Sequence, residues 1–179
     1  MIIPVYEMEL VRENPRRAGL PAMGVYRLAM VREREIELPA AETLVKNAAE
    51  AAWVVKQIIG DYDREAYVVL CLNTKGRLVG ASVVSLGILG EAIVHPREVY
   101  KVAILMNASR IVTAHNHPSG DPTPSREDVL MERRIREAGK IIGIAAVDSL
   151  VVGETRYYSI TGGFDGQIPE RLPVPSVSA

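Results

Sequence analysis

Two of the chain's three histidines, His115 and His117, stand two residues apart at the end of a predicted strand, residues 110–114. Residues i and i+2 of a strand point to the same face, so both imidazoles can converge on one point. Asp128 follows a short loop, at the predicted start of the next helix. Two imidazoles and one carboxylate with an open fourth position are the protein ligands of a typical catalytic zinc site.

Each part of this pattern also has a simpler interpretation. A histidine pair at a strand end can be an exposed surface feature without function. The spacing of Ser125 and Asp128 also matches a helix capping box, in which Ser125 is the N-cap and Asp128 lies near the positive end of the helix dipole. Taken alone, Asp128 is explained equally well by capping and by ligation. The combination of both motifs in one loop favours the metal site.

The elements that must position these residues alternate between helices and strands. An apolar run predicts a buried strand at Tyr67–Leu72, and a tight turn over residues 73–76 predicts a hairpin into a second strand. Pro96 suits the first turn of a helix. The predicted helices are Thr43–Ile59, residues 95–106 and Ser125–Ala138, and the remaining predicted strands are residues 77–85, 140–152 and 156–160. The sequence thus predicts a single α/β domain with a mixed central β-sheet flanked by helices.

The two ends of the chain lack the alternation of helices and strands that the sequence predicts for the domain between them. Residues 1–40 predict a partly extended N-terminal extension, and residues 41–162 make up the α/β domain. Residues 163–179 are rich in Gly and Pro and predict a disordered tail.

Composition excludes several classes of protein. The chain has 179 residues, 48% hydrophobic, which suits one globular domain. Its lone cysteine, Cys71, excludes a disulfide framework and multi-cysteine zinc modules. No apolar run is long enough to span a membrane and no signal peptide is recognisable, so a cytoplasmic location is expected.

The charge argues against a nucleic-acid-binding surface. The formal net charge is −1, whereas nucleic-acid-binding domains usually carry a basic excess. The basic cluster at residues 133–136 alternates with Glu132 and Glu137 at i,i+4 spacing. This pattern predicts a solvated, salt-bridged helix face.

The central motif resembles that of a known superfamily. His115-x-His117-Pro118, followed after six residues by Ser125-x-x-Asp128, is similar to the JAMM signature of the JAB/MPN metalloenzymes. The longer stretches 95–99, 107–108 and 115–121 resemble the bacterial RadC branch, and the likeness covers residues 43–160. The resemblance implies a deaminase-like JAB/MPN fold and one Zn²⁺ per chain, bound by His115, His117 and Asp128.

The resemblance also implies roles for other residues and a reaction. Glu65, at the head of the first buried strand, matches the family's general base, with Glu91 and Glu98 as competing acids. Ser125 matches the serine that stabilises the oxyanion, which is compatible with its capping the helix. His95, before Pro96, is expected to be structural. The implied activity is hydrolysis of a peptide or isopeptide bond in a protein or peptide substrate.

An alternative from another class stays open. RadC proteins are associated with DNA repair. The chain could therefore be a DNA-associated accessory protein that keeps the fold and the metal but does not turn over peptides. The net charge of the chain does not support DNA binding. Residues 1–40 are too few for the helix-hairpin-helix region that many RadC proteins carry, so a short form is expected. The family often has His where this chain has Ser149. A homodimer formed through the N-terminal extension is a further expectation.

Overall fold

The computed structural model of the protein describes residues 2–7, 29–36, 38, 44–87 and 94–172. Within these ranges it contains eight strands and three helices. The strands are β1 (Ile2–Glu7), β2 (Ala29–Glu35), β3 (Ala66–Leu72), β4 (Leu78–Leu86), β5 (Arg110–Asn116), β6 (Ala145–Val152), β7 (Arg156–Ser159) and β8 (Phe164–Gln167). The helices are α1 (Ala48–Ile59), α2 (Pro96–Leu105) and α3 (Arg126–Ile142).

Six strands form one mixed sheet in the order β4-β3-β5-β6-β7-β8. Only β5 and β6 are parallel, and α3 makes the crossover between them. The other neighbours are antiparallel. This arrangement confirms the predicted α/β fold with its mixed central sheet.

Helices cover both faces of the sheet, and each face has its own apolar core. Val68, Leu70 and Leu72 of β3 pack with α1, whereas Tyr67, Val69 and Cys71 pack with α2 and α3. Every residue of β3 is buried. The alternation of side chains between the faces explains why a strand covered on both sides reads as a continuous apolar run.

The first helix begins later than the sequence predicts. Its N-cap is Asn47, whose side chain accepts a hydrogen bond from the Glu50 backbone N–H, so residues 43–46 are not helical where the structure describes them. Leu44 forms an isolated β-bridge with Arg77, and the Val45 N–H donates to the Gly76 carbonyl. Pairing with a distant turn, which a local pattern does not show, takes these residues out of the helix.

The third helix is longer than predicted, and the following strand starts later. Residues 140–142 belong to α3, and the helix ends at Gly143, whose φ of 82° is the left-handed conformation that glycine adopts at helix ends. β6 therefore runs over Ala145–Val152. The apolar pair Ile141 and Ile142, which suggested a strand, is exposed at the end of the helix.

The predicted disordered tail also needs correction. Residues 164–167 form β8, which pairs with β7 after a turn at Gly163. Leu172 is buried in the core beside α1, and the Trp53 indole N–H donates to the Glu170 carbonyl. The segment 163–172 is therefore part of the domain, held by partners far away in sequence; residues 173–179 lie outside the described residues.

The N-terminal extension contains a strand pair. β1 and β2 form a two-stranded antiparallel sheet, and β1 contacts β4 at the edge of the large sheet. Ile36 and Leu38, just beyond β2, pack against the core on the α1 side. Among the described residues, none of the helices combines the length and the apolar character that a bilayer crossing requires.

Candidate metal centre

The candidate site lies where the parallel strand β5 ends and α3 begins. Thr113 and His115 share the face of β5 that carries Ile111, the face covered by α2 and α3. The loop after His117 returns directly to the N-terminus of α3, so Asp128 in the first turn faces the strand end. Carboxyl ends of parallel strands next to a helix N-terminus are common ligand sites in α/β proteins.

The three predicted ligands come together. His115 Nε2 lies 3.2 Å from His117 Nε2 and 3.3 Å from Asp128 Oδ1, and His117 Nε2 lies 3.8 Å from Asp128 Oδ2. Among the described residues, this is the group of His, Cys, Asp and Glu side chains whose ligand atoms all lie within 4.8 Å of one another. The side chains are 5%, 16% and 21% exposed in the order His115, His117, Asp128, so the cluster is sheltered yet reachable from solvent.

These separations fit a zinc ion. Ligand atoms held ~2.0–2.2 Å from a tetrahedral zinc stand roughly 3.3–3.6 Å apart. The two Nε2 atoms lie 3.2 Å apart, and they lie 3.3 Å and 3.8 Å from the two oxygens of the Asp128 carboxylate, which is close to that range. Two imidazoles and one carboxylate leave a fourth position for water or substrate, which is the arrangement of catalytic rather than structural zinc sites.

Asp128 is at once a helix cap and a member of the triad. Its Oδ2 accepts hydrogen bonds from the Ser125 backbone N–H and hydroxyl, both at 2.7 Å, and its own N–H donates to the Ser125 hydroxyl at 3.1 Å. Burial acts to raise the pKa of Asp128, but His115 and the bonds from Ser125 outweigh it and hold that pKa below its usual range. The capping box therefore fixes an ionised carboxylate, as a metal ligand must be.

The two histidines differ in how their second ring nitrogen is satisfied. His117 Nδ1 lies 2.8 Å from the Asp121 carbonyl oxygen, which can only accept, so Nδ1 carries the proton and Nε2 offers its lone pair to the site. His115 Nδ1 is buried and has no hydrogen-bond partner among the described residues. Among the described residues, therefore, only His117 has a hydrogen-bond partner at Nδ1, the ring nitrogen that faces away from the cluster.

Tyr67 forms the floor behind His115. The two rings are stacked, with centroids 6.0 Å apart and an interplanar angle of 8°. Thr113 and Ser149 lie beside the Tyr67 hydroxyl, but neither bonds to it with good geometry. Burial raises the pKa of Tyr67 to about 12, so the phenol stays neutral at ordinary pH.

Glu65 lies at the head of β3, on the side of the site. Tyr67 pairs with His115, and continuing this antiparallel register by two residues places Glu65 opposite His117. Glu65 is half-buried, and its carbonyl accepts a hydrogen bond from the Gly87 N–H. It does not belong to the ligand triad. Its position beside the triad is compatible with a role as general base, which stays a prediction.

Asn116, between the two histidines, has a role that the sequence analysis missed. It points to the opposite face of β5, where its side-chain oxygen accepts from the Ala66 N–H at 2.8 Å and its amide group donates to the Arg64 carbonyl at 3.1 Å. These bonds fix the backbone on both sides of Glu65. A polar residue alternating with two ligands on a buried strand was the available clue.

The other candidate acids and histidine lie elsewhere. His95 is the N-cap of α2, and its Nδ1 accepts from the Arg97 N–H, in line with its expected structural role. Glu98 forms ion pairs with Lys101 and Arg97 on the same helix. Glu91 lies outside the described residues.

The helix face with alternating charges is not wholly solvated. The predicted pair of Glu132 and Arg136 is present at 3.2 Å, but Glu132 is only 5% exposed. Its carboxylate also accepts from the Thr161 hydroxyl at 3.2 Å, because the turn after β7 covers this part of α3. The prediction of a solvated face was wrong for Glu132.

Comparisons with known proteins identify the family of this domain. A family model described as the RadC-like JAB domain matches residues 45–164, which include the triad, Glu65 and Ser125. A UPF0758 protein from Desulforamulus reducens is 40% identical over 129 residues, covering 71% of this chain and 57% of the relative. A UPF0758 protein from Moorella thermoacetica is 42% identical over 120 residues, covering 67% of this chain and 52% of the relative.

The chain spans about half the length of these curated relatives. The family match nevertheless covers more than half of the chain and extends from just before α1 to the start of β8. The chain therefore belongs to the RadC family of JAB/MPN-type domains.

Proposed function

We propose that the protein is a zinc-dependent hydrolase of the JAMM type that cleaves a peptide or isopeptide bond. The observation that carries this proposal is the close approach of the three side chains at the end of β5 and the start of α3. The two histidine Nε2 atoms lie 3.2 Å apart, and they lie 3.3 Å and 3.8 Å from the two carboxylate oxygens of Asp128. Membership of a JAB family adds that such sites occur on this fold.

His115, His117 and Asp128 would hold the metal. Zinc, when bound, supplies Lewis acidity, which lowers the pKa of water towards neutrality and polarises a carbonyl group. The one ionised carboxylate in the set keeps part of the charge of the cation uncompensated, which favours this chemistry. The sheltered position of His115 limits competition from bulk water.

Glu65 and Ser125 are proposed to handle the proton and the developing charge. Glu65 would accept the proton of the attacking water and pass it to the leaving amine, while the water oxygen forms its bond to the carbonyl carbon and the C–N bond breaks. The Ser125 hydroxyl donates to Asp128 Oδ2 in the structure. It would have to turn from Asp128 to donate to the oxyanion.

The metal site is tested by the zinc content of protein purified without chelator. Wild type should carry about one zinc per chain, and His117→Ala and Asp128→Asn should lose it. His95→Ala is the matched control, because it removes the third histidine, which caps a helix and does not belong to the ligand cluster. Zinc absent from wild type and not taken up on titration, or equal zinc in all four proteins, contradicts the proposal.

Turnover is tested separately with zinc-loaded protein. A library of quenched fluorescent peptides and a peptide carrying a lysine isopeptide bond are suitable probes. Cleavage by wild type, with Glu65→Gln inactive but still loaded with zinc, supports the proposed reaction. Full zinc loading without cleavage, together with salt-dependent binding of duplex DNA, would instead support the DNA-associated accessory protein.

A further inference from the structure

The loop between β5 and α3 holds His117 in one orientation through a chain of short contacts. The Gly120 N–H donates to the His117 carbonyl at 2.9 Å, and the His117 ring returns a hydrogen bond from Nδ1 to the Asp121 carbonyl at 2.8 Å. The loop thus closes on the ring of its own first residue. The position of the Asp121 carbonyl therefore determines which ring nitrogen of His117 carries the proton and which one offers its lone pair to the metal site.

The Asp121 side chain fixes that carbonyl. Its Oδ1 accepts from the Thr123 N–H at 2.9 Å and from the Thr123 hydroxyl at 2.7 Å. These two bonds determine the peptide planes on the C-terminal side of Asp121. Its carboxylate does not belong to the ligand triad and is exposed, so an Asp at this position is explained neither as a ligand nor by burial.

The turn between β6 and β7 supports the loop from the other side. The Glu154 N–H donates to the Gly120 carbonyl at 3.3 Å. A Cβ atom on Gly153 would lie 2.2 Å from the same carbonyl oxygen, so the two backbones meet more closely than any other residue would allow. The loop is held between this glycine and the Asp121–Thr123 bonds.

We propose that Asp121 is a positioning residue that sets the tautomer and orientation of His117. The inference rests on the proposed metal site and adds to it the residue that prepares one ligand before the ion binds. His115, the other histidine of the triad, has no such partner for its Nδ1 in the part of the chain that the structure describes. The loop carboxylate therefore preorganises the one imidazole that a mobile loop would otherwise leave free to turn.

Two substitutions separate hydrogen bonding from charge. Asp121→Ala removes the acceptor and the charge, whereas Asp121→Asn removes the charge and keeps an acceptor oxygen for Thr123. Thr123→Val removes one of the two bonds. All three changes are at exposed positions, so the variants should fold. Zinc affinity is measured by competition with a chromophoric chelator, and the His117 tautomer by ¹⁵N NMR of the imidazole nitrogens in metal-free protein at pH 8.

Metal-free wild type should show Nδ1 protonated at His117. Asp121→Ala should give a mixture of tautomers and weaken zinc binding by about 10-fold or more, as loss of an outer hydrogen bond to a ligand usually does. Asp121→Asn should keep the wild-type tautomer and affinity, and Thr123→Val should fall between.

Three results would overturn the inference: an unchanged tautomer in Asp121→Ala, an unchanged affinity in that variant, or an equal loss of affinity in Asp121→Asn, which would mean that charge alone acts. The tautomer is read without metal. Failure of wild type to bind zinc would therefore refute the proposed function, while the tautomer data would still decide the role of Asp121.

Discussion

Ser125 is proposed both to cap α3 and to stabilise the oxyanion. Replacing it should lower the free energy of unfolding of the metal-free protein. Its hydroxyl accepts from the Asp128 N–H and donates to Asp128 Oδ2, which makes it the side chain on which the start of α3 depends. Ser125→Ala removes both bonds and leaves only the bond from the backbone N–H of residue 125 to the Asp128 carboxylate.

The magnitude follows from the two bonds. Loss of a serine N-cap costs about 1 kcal/mol, within a range of roughly 0.5–2. The bond to the carboxylate would add about 1 kcal/mol, less than the roughly 1.5–3 kcal/mol typical of charged partners, since water can replace the serine at this exposed position. We expect Ser125→Ala to lower the free energy of unfolding by roughly 2 kcal/mol. Ser125→Asn, which keeps a capping acceptor, should lose about half of that.

The assay is urea unfolding with chelator present, followed by circular dichroism, with the slope m compared to confirm that only stability changed. Asn47→Ala is the internal comparison, because Asn47 caps α1 from an exposed position with a single bond to the Glu50 N–H and should cost about 1 kcal/mol. Wild-type stability in Ser125→Ala, or an equal loss in Ser125→Asn, would refute the capping argument.

Three further outcomes are expected from urea unfolding. Tyr67→Phe should be neutral or stabilising, because its buried hydroxyl forms no well-aligned hydrogen bond with the described residues. Tyr100→Phe should cost about 1 kcal/mol, because it loses a 2.8 Å bond to the Ile135 carbonyl, and equal effects of the two changes would contradict this. Burial raises the pKa of Asp148 despite bonds from its neighbours, so its ionisation destabilises the folded state. Asp148→Asn should therefore be more stable than wild type at pH 7, and the difference should vanish as the pH falls below about 4, where both states are protonated. Gly139→Ala should destabilise α3 despite the higher helix propensity of alanine, because the new Cβ would lie 2.3 Å from the Tyr100 hydroxyl oxygen; a gain in stability would show that the helix can shift.

The sequence predicted what depends on local spacing. The alternation that puts His115 and His117 on one face, and the three-residue step from Ser125 to Asp128, are properties of a strand and a helix start, and the structure has both. The same holds for β3, whose unbroken apolar run requires cover on both faces.

Most of the errors involve tertiary contacts, whereas the late start of β6 follows from the end of α3 at Gly143. Leu44 leaves the helical pattern because it bridges to Arg77. Residues of β8 carry no apolar alternation and are ordered by pairing with β7. The sequence predicts Glu132 to be a surface residue, but in the structure the turn that carries Thr161 covers it. No local pattern encodes such contacts.

The missed residues around the site act through hydrogen bonds that residue type alone does not show. Asn116 reads as a spacer between two ligands because its partners, Arg64 and Ala66, lie about fifty positions earlier. Asp121 reads as one more acid in a polar loop, since its effect passes through its own carbonyl to His117. The candidate ligands were predictable from residue type, whereas the groups that orient them required the register and the loop geometry.

The run from His115 to His117, at the end of β5 and just after it, also restricts where this family can gain or lose residues. Asn116 lies on one face of β5 and bonds to the start of β3, whereas His115 and His117 lie on the face of the metal centre. Inserting or deleting one residue inside β5 would therefore turn each of these side chains to the opposite face. The amide would then enter the metal centre, and the imidazoles would turn into the apolar layer beneath α1. Diversification by insertion is therefore expected outside this strand, and any homologue with an altered β5 length should lose metal binding and the anchoring of β3 together.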